Sequence, residues 1–112
     1  MKLSRIVILS QDFQKFTGYL KENMSFSYEN NGSDMIILAD EEYYFRNNSA
    51  QLNIIVATVD YNKITVDIIG GAGGAGLLNF SLGSEKNFIK RALRLIDRYI
   101  EENNLESEDI IL

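Results

Sequence analysis

Apolar residues recur along the chain with two periods, and the switches between them lay out the elements. Residues 3–9 are apolar on both faces around Ile6, Val7 and Ile8, which predicts a strand with a central or well-covered place in a sheet. Ser10 then offers a helix cap, with Asp12 in the first turn. Phe13, Phe16, Leu20 and Met24 return at three-to-four spacing, so residues 11–24 read as an amphipathic helix. Gly18 inside it lowers helix propensity and points to close packing against the sheet. Next, Phe26 and Tyr28 alternate with Ser25, Ser27 and Glu29, and Asn31-Gly32 supplies the two left-handed positions of a tight hairpin turn. Residues 35–39 form the returning strand, which Asp40, Glu41 and Glu42 interrupt before Tyr43, Tyr44 and Phe45. A polar turn over 47–50 leads into residues 52–59, again apolar on both faces. Residues 60–62 turn the chain into a strand where Ile64, Val66 and Ile68 alternate with Lys63, Thr65 and Asp67.

A glycine run then removes the side chains altogether, at Gly70, Gly71, Gly73, Gly74 and Gly76. Alternation resumes with Leu78, Phe80 and Leu82 against Asn79 and Ser81. Ser84 offers an N-cap hydroxyl and Glu85 a first-turn carboxylate to a helix over 85–103, whose broad stripe is Phe88, Ile89, Ala92, Leu93, Ile96, Tyr99 and Ile100. The order is β-α-β-β-β-β-β-α. Hairpin-linked strands bracketed by two amphipathic helices imply an α+β fold: a two-layer sandwich, an antiparallel sheet of about six strands with both helices on one face. Residues 1–104 make one domain. The tail, 105–112, is acidic and then apolar, and Ile110, Ile111 and Leu112 are suited to add a short strand to a sheet edge, here or on another molecule. The second face of the sheet is expected to be only partly polar, with Leu38, Ile55 and Val59 competing for it, and such a patch favours a homodimer joined sheet to sheet or edge to edge.

The glycine run contains a literal G-x-G-x-x-G at Gly71, Gly73 and Gly76, the fingerprint of a dinucleotide site when a helix N-terminus follows directly. Here a strand follows, and too little chain remains for a crossover to a second parallel strand, so the dinucleotide reading fails on context. Consecutive glycine amides can still form a concave anion nest without a helix. Gly71, Gly73, Gly74 and Gly76, with Ser84, Lys86 and Lys90 at the start of the last helix, are therefore the candidate ligand site for a phosphate or carboxylate. The plainer alternative is a wide connection or bulge where backbone packs close to backbone.

Composition narrows the chemistry. The 112 residues carry a formal charge of -5 and contain neither cysteine nor histidine. Disulfides, thiolate metal sites and thiol nucleophiles are thereby excluded, and the usual general base near neutral pH is missing. No cofactor is implied and the inventory argues against an enzyme. Surplus acid argues against duplex nucleic acid as a partner. The longest uncharged run, 68–84, falls short of the ~20 apolar residues of a membrane span and is rich in glycine and polar residues, so no membrane segment is expected and the cytoplasm is the expected address. Asp40, Glu41 and Glu42 are three oxygen ligands in a row, but they lack the loop glycine and spacing of a calcium loop and read as a solvated strand edge or bulge. On the last helix Lys86, Lys90, Arg94 and Arg98 stand at four-residue steps with Arg91 beside them. That cationic face suits either solvent or an acidic partner.

The segments EEYYFR, NNSAQLNIIVATV, KITVDIIGGAGGAG and LGSEKNFIKRAL together resemble the small bacterial proteins grouped as domain of unknown function 6054. Those proteins show a similar aromatic segment, a glycine-rich stretch after a strand, and a Gly-x-Glu-x-x-Phe entry to the final helix, here Gly83, Glu85 and Phe88; Gly-Ala steps stand where the group carries Gly-Gly-Ser. The resemblance implies an address in the bacterial cytoplasm and no activity. The element order is also similar to the TATA-binding-protein-like arrangement, a scaffold that hosts unrelated functions. Two functional expectations remain: a non-catalytic interaction module that self-associates and takes an apolar or acidic partner, or a small-molecule binder built on the glycine run and the helix after it.

Overall fold

The structure, a computed structural model, describes residues 2–44, 49–72 and 84–110. Its elements run β1 (Lys2–Leu9), α1 (Phe13–Asn23), β2 (Tyr28–Asn31), β3 (Met35–Tyr44), β4 (Ser49–Asp60), β5 (Lys63–Ala72), α2 (Ser84–Glu102) and β6 (Ser107–Ile110). The strands make one open sheet in the order β2-β3-β4-β5-β1-β6, and every described pair is antiparallel. This is the α+β class with a six-stranded antiparallel sheet that the alternation predicts. β1, apolar on both faces, lies inside the sheet between β5 and β6.

Parity decides where the core sits. Ile6 and Ile8 of β1, Ile36 and Leu38 of β3, Ile55 and Ala57 of β4, and Ile64, Val66 and Ile68 of β5 all face one way and are buried. Against them pack Phe13, Phe16 and Leu20 from α1 and Phe88, Ala92, Ile96 and Tyr99 from α2, the two stripes expected from spacing. Phe16 meets Tyr99 edge-on with centroids 5.2 Å apart, and the Tyr19 hydroxyl donates to the Leu95 carbonyl at 2.7 Å, tying the helices together.

The opposite set of alternate residues forms a second apolar surface. Tyr28, Ala39, Ile54, Ile69 and Leu3 stand in a single row of cross-strand neighbours from β2 to β1, with Ile37 and Val56 in the adjoining row. Leu3 and Met35 on this side are 46% and 45% exposed. That adjoining row continues into a bidentate ion pair, Arg5 Nε and Nη2 to the Asp67 carboxylate at 2.6 and 3.0 Å, with Ile110 of β6 beyond it. The pair raises the Arg5 pKa, first through the hydrogen bond and then through the charge of Asp67, against the pull of burial.

Several expectations are corrected. Leu38 and Ile55 are buried on the core face and Val59 packs against the core; Ile37, Ile54 and Val56 hold the other face. The run was apolar on both faces, and its parity was set only by pairing. The stretch Asp40 to Glu42 does not interrupt a strand: β3 continues to Tyr44, with Asp40, Glu41 and Glu42 opposite Asn53, Leu52 and Gln51. The cap of α1 is Asp12, whose carboxylate accepts from the Lys15 amide at 3.3 Å, while Ser10 stands outside and accepts from the Asp12 amide. The tight turn of the β2-β3 hairpin lies at Ser33 and Asp34, closed by Gly32 N–H to Met35 O at 2.8 Å, and neither Asn31 nor Gly32 has positive φ. Gly32 is required for room instead: a Cβ there would stand 2.7 Å from the Met35 carbonyl oxygen. Gly18 makes no close approach, since a Cβ at that position meets open space. The strand expected at 78–82 lies outside the described residues. The tail segment 107–110 pairs with β1 of its own chain.

Candidate functional site

At one end of the core face, apolar residues give way to polar ones. The β4-β5 ladder slips by one residue between Leu52 and Ile54, so β5 places Gly70 and Gly71 against Asn53 alone. Gly71 takes φ 75°, open to glycine without strain. Such a bulge turns an amide out of the ladder, and here the fully buried Asn53 side chain meets it: Gly71 N–H donates to Asn53 Oδ1 at 3.1 Å. Asn53 Nδ2 then donates to Glu42 Oε1 at 2.6 Å, and Arg91 Nη2 pairs with the same oxygen at 3.1 Å. One polar chain therefore runs from the bulge on β5 through β4 and β3 to α2. Its last member, the Arg91 guanidinium, lies 5.9 Å from the centroid of the buried Phe88 ring.

Arg91 opens into a cleft of about 480 Å³ between the C-terminal end of α1, β3 and α2. Met24, Phe88 and Leu95 supply its apolar surface, Asn23, Ser25 and Asp40 line it from α1's end and β3, and Arg91, Arg94 and Arg98 line it from α2. Their spacing of three and then four residues puts the three arginines on one helical face. Among the described residues Arg94 and Arg98 have no carboxylate within ion-pair distance. The field of Arg98 reaches Tyr19: burial pushes the Tyr19 phenol up, Arg98 draws it back, and Glu102 pushes it up again.

The residues singled out from sequence are distributed differently. Gly71 is in β5 and its amide is taken by Asn53; Gly73, Gly74 and Gly76 lie outside the described residues. Ser84 and Lys86 belong to the first turn of α2 and Lys90 is exposed on it, outside the cleft. Of the cationic face, Arg91, Arg94 and Arg98 are the part brought together. Strand alternation sends Glu41 to the face opposite Asp40 and Glu42, so the acidic triplet cannot converge, and among the described residues no three carboxylates cluster as metal ligands. Sequence reasoning passed over Asn53 and Gln51, both buried. Their signal was available: two amides at alternate positions of a strand otherwise apolar on that face.

The family model described as a family of unknown function, DUF6054, matches residues 9–100, which takes in α1, the strands β2 to β5 with their bulge, and nearly all of α2. The chain belongs to DUF6054. The match covers every element that builds the cleft of this DUF6054 protein, and it ends before β6. No curated protein and no solved structure matches the chain. Among the described residues no helix is long and apolar enough to cross a membrane.

Proposed function

We propose that this DUF6054 chain is a non-catalytic cytoplasmic interaction module that works as a homodimer, pairing through the second face of its sheet. In this reading the fold is a two-layer sandwich with TATA-binding-protein-like order, both helices covering one face and a second copy covering the other. The observation that carries it is the apolar row of Tyr28, Ala39, Ile54, Ile69 and Leu3, next to Ile37 and Val56, on residues whose parity keeps them away from the core. Six strands about 4.8 Å apart and about eight residues long present roughly 29 by 26 Å, or about 750 Å². That is close to the ~800 Å² each partner contributes to a standard stable interface. A two-fold axis would lay row against row and keep the Arg5–Asp67 pair of each copy internally neutralised.

Sedimentation equilibrium on the full chain from about 1 to 100 μM, spanning ordinary dimer constants, tests this. A dimer is expected, and Leu3→Lys is expected to shift it to monomer. Leu3 is already 46% exposed in the single chain, so the change spares the fold, and it lowers the net negative charge, so added repulsion between copies cannot explain the loss. A wild-type chain that stays monomeric over the whole range refutes the proposal, as does a Leu3→Lys chain that dimerises equally well.

A further inference from the structure

We propose that the cleft between the end of α1 and the middle of α2 binds a small organic anion: a phosphate monoester or carboxylate attached to an apolar body. This site is on the helical side of the molecule, shares no residue with the dimer face, and stands or falls independently of it. Among the described residues its lining includes neither Gly71 nor Lys90.

Five observations converge on it. The volume, about 480 Å³, falls in the ordinary range for small-molecule sites and is far too small for an extended polymer. Among the described lining residues three arginines face one carboxylate, Asp40, on a chain whose formal charge is -5. An acidic protein that leaves Arg94 and Arg98 without a carboxylate among the described residues holds two planar forks ready for the paired oxygens of a carboxylate or phosphate. Arg91 is already placed by Glu42, itself fixed by Asn53 and the bulge, so little side-chain freedom is lost there when a ligand arrives. Phe88, Met24 and Leu95 give the ligand's carbon body an apolar surface beside these charges.

The overall charge selects size. A polyanion must bring its remaining charges over an acidic surface and is repelled, whereas a compact anion enters the local positive field alone. Asp40 on the β3 side adds an acceptor for a hydroxyl or amine on the ligand and disfavours a second anionic group at that end.

Isothermal titration of the full chain with phenyl phosphate and with benzoate, against inorganic phosphate and phenol, provides the test. At least one of the two aromatic anions is expected to bind, more tightly than either inorganic phosphate or phenol; which one binds better separates the phosphate from the carboxylate source. The double variant Arg94→Gln/Arg98→Gln, both positions being exposed, is expected to weaken binding at least tenfold, while Lys90→Gln, an exposed cation on the same helix outside the cleft, leaves it unchanged. Circular dichroism of each variant checks that the fold is kept. The proposal is overturned if neither aromatic anion binds at millimolar concentration, if phenol or inorganic phosphate binds equally well, if the double variant binds like wild type, or if polyglutamate binds more tightly than both aromatic anions.

Discussion

Replacing Asn53 by alanine removes the centre of the polar chain that joins the sheet to α2, and its cost follows from the two bonds Asn53 makes. Its side chain is fully buried, accepts from the Gly71 amide at 3.1 Å and donates to Glu42 at 2.6 Å. In Asn53→Ala the Gly71 amide, turned out of the ladder by the bulge, is left buried with no acceptor, at about 1–3 kcal/mol. The lost bond to Glu42 contributes less, because that side chain is 29% exposed and water can replace the donor. Together these give about 2–4 kcal/mol. With an unfolding entropy of about 2.1 cal/mol/K per residue, 112 residues turn each kcal/mol into about 4 °C, so Tm falls by about 8–17 °C. Asn53→Asp keeps an acceptor for Gly71 but sets a carboxylate against Glu42. It is expected to be at least as damaging at neutral pH and to recover relative to wild type as pH falls, when one proton relieves the repulsion. Urea and thermal unfolding at fixed protein concentration measure both variants. An Asn53→Ala protein within about 0.5 kcal/mol of wild type, the scatter of a neutral surface change, would refute the claim that this side chain satisfies the bulge.

Two further outcomes follow from local geometry. Burial, and then the negative charge of Asp109 on β6, raise the Asp97 carboxyl above its ordinary value. A folded-state value above the unfolded one means that ionisation costs the fold: the penalty is absent at acid pH and grows as pH rises through the raised value. Asp97→Asn is therefore expected to gain at most a few tenths of a kcal/mol at neutrality, after solvent screening of this exposed residue, and nothing at about pH 3; urea midpoints at the two pH values check the sign. Gly32→Ala puts a Cβ 2.7 Å from the Met35 carbonyl oxygen, which is backbone and cannot swing aside. It is expected to lower stability by about 1–3 kcal/mol in thermal melts, and an unchanged midpoint would show that the hairpin adjusts freely.

How far the sequence could be read depended on how local the physics was. The stripes of α1 and α2 and the alternation of β5 were legible because each element buries one face, and its period records which. Residues 52–59 were harder. With Ile54, Ile55 and Val56 in succession, either parity makes a plausible core, and the one observed puts Asn53 and Gln51 inside. The acidic step at Asp40 to Glu42 read as a break because three charges in a row oppose a buried strand. It is ladder because Glu42 finds Asn53 and Arg91, partners 11 and 49 residues away.

By itself, the sequence determined the class, an antiparallel sheet with two amphipathic helices, and excluded thiol and imidazole chemistry, since periodicity and composition are properties of neighbouring residues and of inventories. Only the tertiary structure decided which face of β4 is covered, that a single glycine amide at the bulge needs a side-chain acceptor, and that Arg91, Arg94 and Arg98 share a cleft with Asp40 while Lys90 does not. Those are facts about residues far apart in the chain. They are fixed by strand register and helix docking, whose energies come from contacts that exist only after the chain has closed on itself.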